Sequence, residues 1–390
     1  MTQKPLISII TPSFNCADTI EETIRSVESQ TYPYVEHIVI DGGSTDGTVD
    51  ILKRYPHLVW ISEKDEGQAD ALNKGFRMAK GNVIAWLNAD DTYASTEVLQ
   101  EVMDLFAHNT NVDLIHGDVI YLDPEGNFIH RHQGKEFNLA EALLSNPINQ
   151  QATFFRRRVF EKVGFLRTDL DYVMDYEFWL RIGRRCKSLY VPHVWATYCL
   201  KPGSKTVEHP ERFWLEALDV FDSLFALPQV ATELKSVRSL AYGRMHWLAG
   251  VGLYRAGEWK NAREHCSVAL QVYKLLEKDY EFAIQGCRYI ESHYHREPHS
   301  PDWIEDLLAD LPPEFRRNGR FMSQIRSFFY ATRADFYASR RRWREVRKDT
   351  LRAFRYDFVR WINNRGFIKQ GFRAIGALIR KEIRQPVRLG

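Results

Sequence analysis

Two adjacent carboxylates, Asp90 and Asp91, follow the apolar run Ala85-Trp86-Leu87, and a pair of charges could not stay inside a sheet without partners. They close one of four polar segments that each follow a β-like run. The others are Thr11-Pro12-Ser13-Phe14-Asn15, Asp41-Gly42-Gly43-Ser44-Thr45-Asp46-Gly47 and Glu63-Lys64-Asp65-Glu66-Gly67. Open α/β sheets bind ligands beyond the carboxyl ends of their strands. A lone Asp-Gly turn is ordinary turn chemistry, whereas four polar strand ends on one rim point to a ligand. Glycines at 42, 43 and 47 let backbone come close to it, although neither GxGxxG nor GxxxxGK[ST] occurs. Mg²⁺ and Mn²⁺ are held by one or two carboxylates together with phosphate oxygens. Asp90-Asp91 therefore reads as a metal–diphosphate station, and spacing alone supports equally an acidic N-cap for a helix beginning near Ser95.

The elements that must position these groups alternate. "LISIITPSFN" is a β-branched run halted by Pro12. "TIEETIRSVESQT" has Ile20, Ile24 and Val27 on one helical face, with Thr19 at the N-cap position. "VEHIVID" is a second strand, "TVDILKRY" a helix, "LVWIS" a strand, and "ADALNKGFRMAKG" a helix closed by Gly81. "NVIAWLNADD" is a further strand. Strands alternating with such helices predict βαβ units and a mostly parallel sheet. Beyond residue 92 the spacing predicts a helix over 96–108, then two strands joined at Asp123-Pro124-Glu125-Gly126.

From about Phe213 helical periods dominate. "YRAGEWKNAREHCSVAL" and "YASRRRWREVRKDTLRAF" echo one another through Trp259/Trp343, Ala262/Val346, Ala269/Ala353 and Leu270/Phe354, like the helical hairpin of a tetratricopeptide repeat, with a plain bundle as the alternative. The organisation expected is a first domain over 1–212, a helical domain over 213–312 and a basic helical region over 313–390.

Composition, with 44% hydrophobic and 27% charged residues, is that of an ordinary soluble chain. No signal peptide or spanning apolar stretch is read, and five scattered cysteines without CxxC spacing fit reduced thiols in the cytoplasm. The net charge of +2 hides an asymmetry: residues 313–390 carry 21 Lys+Arg against 6 Asp+Glu, leaving 32 against 45 elsewhere. Arg interleaved with Phe, Tyr and Trp predicts an amphipathic surface meeting anionic lipid. A merely solvated helical face is the alternative. Nucleic acid is not expected as a partner, because no RNP, KH or zinc motif accompanies the charge.

Taken together, "ISIITPSFN", "IDGGSTDGT", "SEKDEGQADALNKG" and "WLNADD" resemble the start of family 2 glycosyltransferases, which have the GT-A fold. The resemblance continues in order through "NQQATFFRRRVFEKVGFL" and "DYVMDYEFWLRI", over roughly residues 5 to 206. It implies a Rossmann-like N-terminal domain, followed here by an all-α region, that moves a sugar from a nucleoside-diphosphate donor (UDP-, GDP- or dTDP-sugar) to a glycan or lipid-linked acceptor. Thr11, Pro12, Asn15 and Asp41 would hold base and ribose, with Ser44 in the same loop. Asp65, Asp70 and Lys74 would close over the donor, Lys74 also neutralising diphosphate. Asn88, Ala89 and Asp90 would line the donor, while Asp90 and Asp91 match the metal motif for Mn²⁺ or Mg²⁺, Asp91 being the preferred direct ligand.

Asp175, in "VMDYEFWLR", matches the catalytic base. An inverting transferase needs one carboxylate to take the acceptor hydroxyl's proton, while a cation stabilises the departing diphosphate. Glu177 is the rival base, and Gln150 and Gln151 would line the acceptor side with it. Relatives often carry a His-Pro-Gly-Ser-like stretch after this region. Here Lys201 stands where the His would be, and an ammonium pairs with diphosphate rather than ligating metal. Cytoplasmic placement, with peripheral contact at the cytoplasmic face of an anionic membrane through 313–390, completes the expectation. The alternatives are a sugar nucleotidyltransferase and an inactive transferase domain serving as a helical scaffold.

Overall fold

A computed structural model describes residues 5–200, 205, 209–273, 303–311, 313–317, 319–339 and 342–356. The chain divides into two compact units between Ser204 and Lys205. The sequence reading draws its first boundary after residue 212 and a second after 312.

The first unit is built on one nine-stranded sheet. Strands β1 (Ile7–Ser13), β2 (Val35–Asp41), β3 (Val59–Ser62) and β4 (Val83–Trp86) run parallel in the order β3-β2-β1-β4. Helices α1 (Ile20–Glu28), α2 (Thr48–Leu52) and α3 (Gln68–Met78) make the connections, as the alternating sequence pattern predicts. Ile7, Ile9, Ile10, Ile38, Val39 and Ile40 are sealed in the core. Burying a β-branched or Leu-sized side chain stabilises by about 1.5–3 kcal/mol, so these two central strands anchor the unit.

Three local expectations change. β1 runs through Pro12 to Ser13, because its ladder with β4 ends at Ile10↔Trp86 and proline is tolerated where one neighbour is missing. Thr19 precedes α1, but its side chain makes no capping bond. Gly81 does not close α3, whose cap is Ala79; instead a Cβ at Gly81 would lie 2.6 Å from the Ser8 nitrogen, so glycine there permits close backbone packing.

The second half of the sheet is mixed. β8 (Thr153–Arg156) runs antiparallel to β4, and β6 (Leu114–Leu122) antiparallel to β8. β9 (Ser188–Cys199) is parallel to β6, and a short β5 (Asp91–Tyr93) lies antiparallel on β9. β7 (Phe128–His132) turns back onto β6 through Gly126, whose φ is +82°. All the parallel strands end on one rim, and β5 begins there. Helices α4 (Val98–His108), α5 (Leu139–Ala142), α6 (Val159–Val163) and α7 (Met174–Arg185) complete the unit.

The described part of the second unit contains only helices. The buried helix Lys235–Ala256 packs on Trp259–Val272 so closely that a Cβ at Gly250 would come within 2.5 Å of Cys266 Sγ. Helix Gly319–Ser339 is joined to Trp343–Tyr356 by a buried bidentate pair between Arg333 and Asp349 (2.6 and 2.9 Å). The two echoed segments thus both become 14-residue helices starting at Trp, with Ala262 and Val346, and Ala269 and Ala353, buried at matching positions. None of the described helices is long and apolar enough to cross a membrane.

Candidate functional site

The rim is assembled first by carboxylates that bind protein. Asp41 ends β2 fully buried and receives five hydrogen bonds: Ser13 Oγ (3.1 Å) and Ser44 Oγ (2.5 Å) donate to Oδ1, while Ser62 Oγ (2.6 Å), Gly43 N (3.1 Å) and Ser44 N (2.9 Å) donate to Oδ2. Burial pushes its pKa up, but the bonds from Ser44, Ser62 and Ser13 outweigh that and hold it below the usual carboxylate value. A carboxylate has about four lone-pair sites, and here the bonds to Asp41 shape the Gly42–Ser44 loop around it.

Three neighbours also make contacts within the protein. Thr11 is buried inside the sheet, its hydroxyl bonded to His37 Nε2 (3.0 Å), and Pro12 is buried beside it. Asn15, at φ +50°, receives Thr45 N–H on Oδ1 and donates its own N–H to Ser44 Oγ, so it buckles the first two strand ends together. Asp46 fastens the same loop by accepting from Ala17 N and from Thr48. Between these bonds lies Cys16. Burial and the fields of Asp90, Asp46 and Asp41 raise its thiol pKa against a lowering hydrogen bond from the Phe14 backbone.

At the third strand end, Asp65 accepts Gly67 N–H (3.0 Å) and leans over Gly42, where a Cβ would lie 2.7 Å from its Oδ2. Asp70 and Glu63 both pair with Lys74 (3.3 and 3.0 Å), first Glu63 and then Asp70 raising the ammonium pKa after burial opposes it. Two of the three ammonium donors of Lys74 are thus aimed at carboxylates.

The fourth end is organised differently. Asn88 donates to Asp91 Oδ2 (3.0 Å) and to Gln150 Oε1 (3.1 Å), and Gln68 donates to Asn88 Oδ1 (2.9 Å). Thr23 Oγ1 holds the Asp91 carbonyl (2.8 Å), which fixes the start of β5. Ala89 is buried in a small core with Ile20, Ile24 and Val39. Asp91 is sealed, and its Oδ1 makes no hydrogen bond of ordinary geometry, although Gln151 stands near enough to favour the ionised form. Burial, then the charge of half-exposed Asp90, pushes the Asp91 pKa well above the usual value. An orphaned buried carboxyl oxygen beside a second carboxylate suits a hard cation. The N-cap alternative fails: α4 begins at Val98 behind Glu97, and Asp91 belongs to a strand. Among the described residues no group of three or more His, Cys, Asp or Glu side chains gathers in metal-binding geometry.

Asp175 stands in the first turn of α7, four residues after Asp171, which lies against Gly67 at the β3–α3 turn. It is partly exposed, and burial raises its pKa to about 6 against lowering hydrogen bonds from backbone N–H groups of Tyr176 and its own residue. Glu177 is instead locked in a bidentate pair with Arg181 (2.7 Å each), which in turn donates to the Val163 and Phe165 carbonyls. Both of its carboxylate oxygens are engaged by Arg181. Gln150 is likewise committed, donating to the Trp86 carbonyl (2.8 Å), while Gln151 remains half-buried beside Asp91. Trp179 stacks on Trp86 (5.3 Å, 12°) as core. Lys201 lies outside the described residues.

Two contributors escape the sequence reading. Gln68 orients Asn88 from the start of α3, and only its place after Gly67 hints at that. Phe14 is 62% exposed at the end of β1, where an apolar run would predict burial.

The family model "Glycosyl transferase family 2" matches residues 8–164. A PGL/p-HBAD biosynthesis glycosyltransferase of Mycobacterium bovis (strain BCG / Pasteur 1173P2) is 32% identical over 182 residues, 45% of this chain and 69% of that protein. TuaG of Bacillus subtilis (strain 168), a glycosyltransferase named for teichuronic acid biosynthesis, is 41% identical over 105 residues, covering 25% of this chain and 41% of that protein. The mannosyltransferase PcManGT from Pyrobaculum calidifontis, solved in complex with GDP-Man and Mn²⁺, covers 83% of this chain and 86% of its own at 17% identity and a TM-score of 0.47, too loose a likeness to argue from. On the family match and the identity to the mycobacterial relative, the chain belongs to glycosyltransferase family 2.

Proposed function

We propose that this chain transfers a sugar, with inversion, from a nucleoside-diphosphate sugar to a hydroxyl of a glycan or lipid-linked acceptor in cell-envelope glycan synthesis. The observation that carries the reading is Asp175, a partly exposed carboxylate at a helix start with a pKa near 6. A general base works best when its pKa lies near the working pH, and burial tunes it there. It would take the acceptor hydroxyl's proton as that oxygen attacks the anomeric carbon opposite the leaving diphosphate.

Donor binding would fall to the loops that Asp41, Asn15 and Asp46 shape, beside the exposed Phe14 ring. Asp90 and Asp91 would hold Mg²⁺ or Mn²⁺, and the cation would supply neutralisation of diphosphate charge. The names of the mycobacterial and Bacillus relatives support an envelope glycan as product. Contact with anionic membrane through 313–390 is part of the proposal. On the described helix Trp343–Tyr356 it is supported by exposed Arg344, Arg347, Lys348 and Arg355 around exposed Leu351.

The test is a thermal-shift screen of UDP-, GDP-, dTDP- and CMP-sugars with and without Mn²⁺. A nucleotide that stabilises only with metal, and loses the effect in Asp91→Ala, supports the reading. No shift with any donor at millimolar concentration overturns it.

A further inference from the structure

Four neighbouring strands carry one row of side chains away from the candidate cation site. Asp91 of β5 is paired with Tyr198 of β9, Tyr198 with Tyr121 of β6, and Tyr121 with His130 of β7. Residues paired directly across a sheet point to the same face, so these four side chains share it. His132, two residues along β7, joins them. The Tyr121 ring lies 4.5 Å from His130 at 22°, 5.8 Å from His132, and 5.0 Å from Tyr198 at 74°. All four rings are half-buried. Strands stand about 4.8 Å apart, so the row extends about 14 Å from Asp91.

A second connection ties the row to the site. Asn149 bonds the His132 ring through Oδ1 and donates to the carbonyls of His132 (3.2 Å) and Gly117 (3.1 Å). The next residue, Gln150, accepts from the same Asn88 amide that donates to Asp91. The aromatic row and the carboxylate are therefore held in register both by strand pairing and by side chains.

Tyr121 and Tyr198 pack partly on the core, as aromatic strand residues do, so what packing leaves unexplained is the pair of imidazoles on the outer strand β7 beside them; every ring of the row carries a hydroxyl or a nitrogen. Burial, then His132, holds the His130 pKa below its ordinary value. A neutral imidazole offers one donor and one acceptor. Amphipathic rings with a few polar atoms suit a ligand that has both an apolar face and hydroxyls. A pyranose ring has both. Two of the three polar side chains expected to meet the acceptor are engaged within the protein, Gln150 with Trp86 and Asn88, Glu177 with Arg181.

We propose that the row Tyr198–Tyr121–His130, with His132, is a carbohydrate subsite that binds a sugar ring of the acceptor beyond the reacting hydroxyl. The proposal rests on the transferase reading above.

The experiment is saturation-transfer NMR on the full chain with the methyl α- and β-glycosides of glucose, galactose, mannose, N-acetylglucosamine and rhamnose. It is run with Mg²⁺ and the nucleoside diphosphate that gives the largest thermal shift. At least one glycoside should receive saturation from aromatic protons. Tyr121→Ala and His130→Ala should each weaken its binding by about tenfold or more, with the nucleotide thermal shift unchanged. Tyr121 packs partly on the core, so His130→Ala, on the outer strand, decides if the other variant does not fold. Equal glycoside binding by His130→Ala overturns the subsite. So does the absence of any bound glycoside in a wild-type chain that still responds to nucleotide. If no nucleotide shifts the wild type, the transferase reading falls, whereas glycoside binding that His130→Ala abolishes would still stand as a carbohydrate site.

Discussion

Asp41 and Asp175 are both carboxylates at strand or helix ends on one unit, and burial acts on each, yet they finish on opposite sides of the usual pKa. Asp41 is given five donors and is held low; Asp175 receives backbone N–H groups only and rises to about 6. The first is spent on folding a loop. The second keeps proton affinity that folding has not consumed. The same contrast separates Glu177, saturated by Arg181, from Asp91, whose Oδ1 is buried without a donor. Hydrogen-bond satisfaction, rather than burial, sorts the scaffold carboxylates from those available for chemistry.

Breaking the contrast should have graded effects. Asp175→Asn should lower sugar transfer by on the order of 10²–10⁴-fold while donor binding persists, because it removes only a proton acceptor. Initial rates and the donor thermal shift check this, and near-normal turnover would sink the base assignment. In the wild type, kcat/KM should fall as pH drops through about 6.

Asp41→Ala should act on stability instead. Several donors lose their acceptor together, and a loss on the order of 3 kcal/mol is expected from the urea midpoint. A smaller effect sharpens the comparison through pH. A carboxyl whose folded pKa is raised binds its proton more tightly in the folded state, so its contribution to stability declines as pH rises from the usual carboxylate value to about 6. Melting temperature against pH should show that decline in the wild type and less of it in Asp175→Asn, where the raised Asp91 still contributes, with the variant no less stable at pH 8. Smallest of all is Gly42→Ala. Its Cβ meets only the flexible end of Asp65, so about 1 kcal/mol is expected from the same urea experiment.

The parallel half of the sheet was legible because β-branched runs and helical periods alternate there, and the polar strand ends were legible because nothing else explains charge at that position. Three things were not. Side-chain spacing says that Asp41 and Asn15 lie at the rim but not that Ser13, Ser62 and Thr45 consume them, since those partners come from other strands. Thr11 looked terminal because Pro12 suggested a stop, and only the missing β4 neighbour reveals why the strand continues. β5 is three residues long, below any periodic signal, and exists because β9 is there to pair with it. For the same reason the row from Asp91 to His130 is invisible in sequence: its members are 91, 198, 121 and 130, and only strand order makes them neighbours.

Cys16 has a use that its chemistry suggests. Its thiol should react slowly, because the thiolate is the reactive form and the carboxylates around it, Asp90 among them, oppose ionisation after burial has done so. Anything that screens those charges should quicken alkylation, and anything that covers the first strand end should slow it. A single labelling time course would then distinguish a cation alone from a cation with nucleotide, giving the molecule an internal occupancy gauge without a signal from turnover.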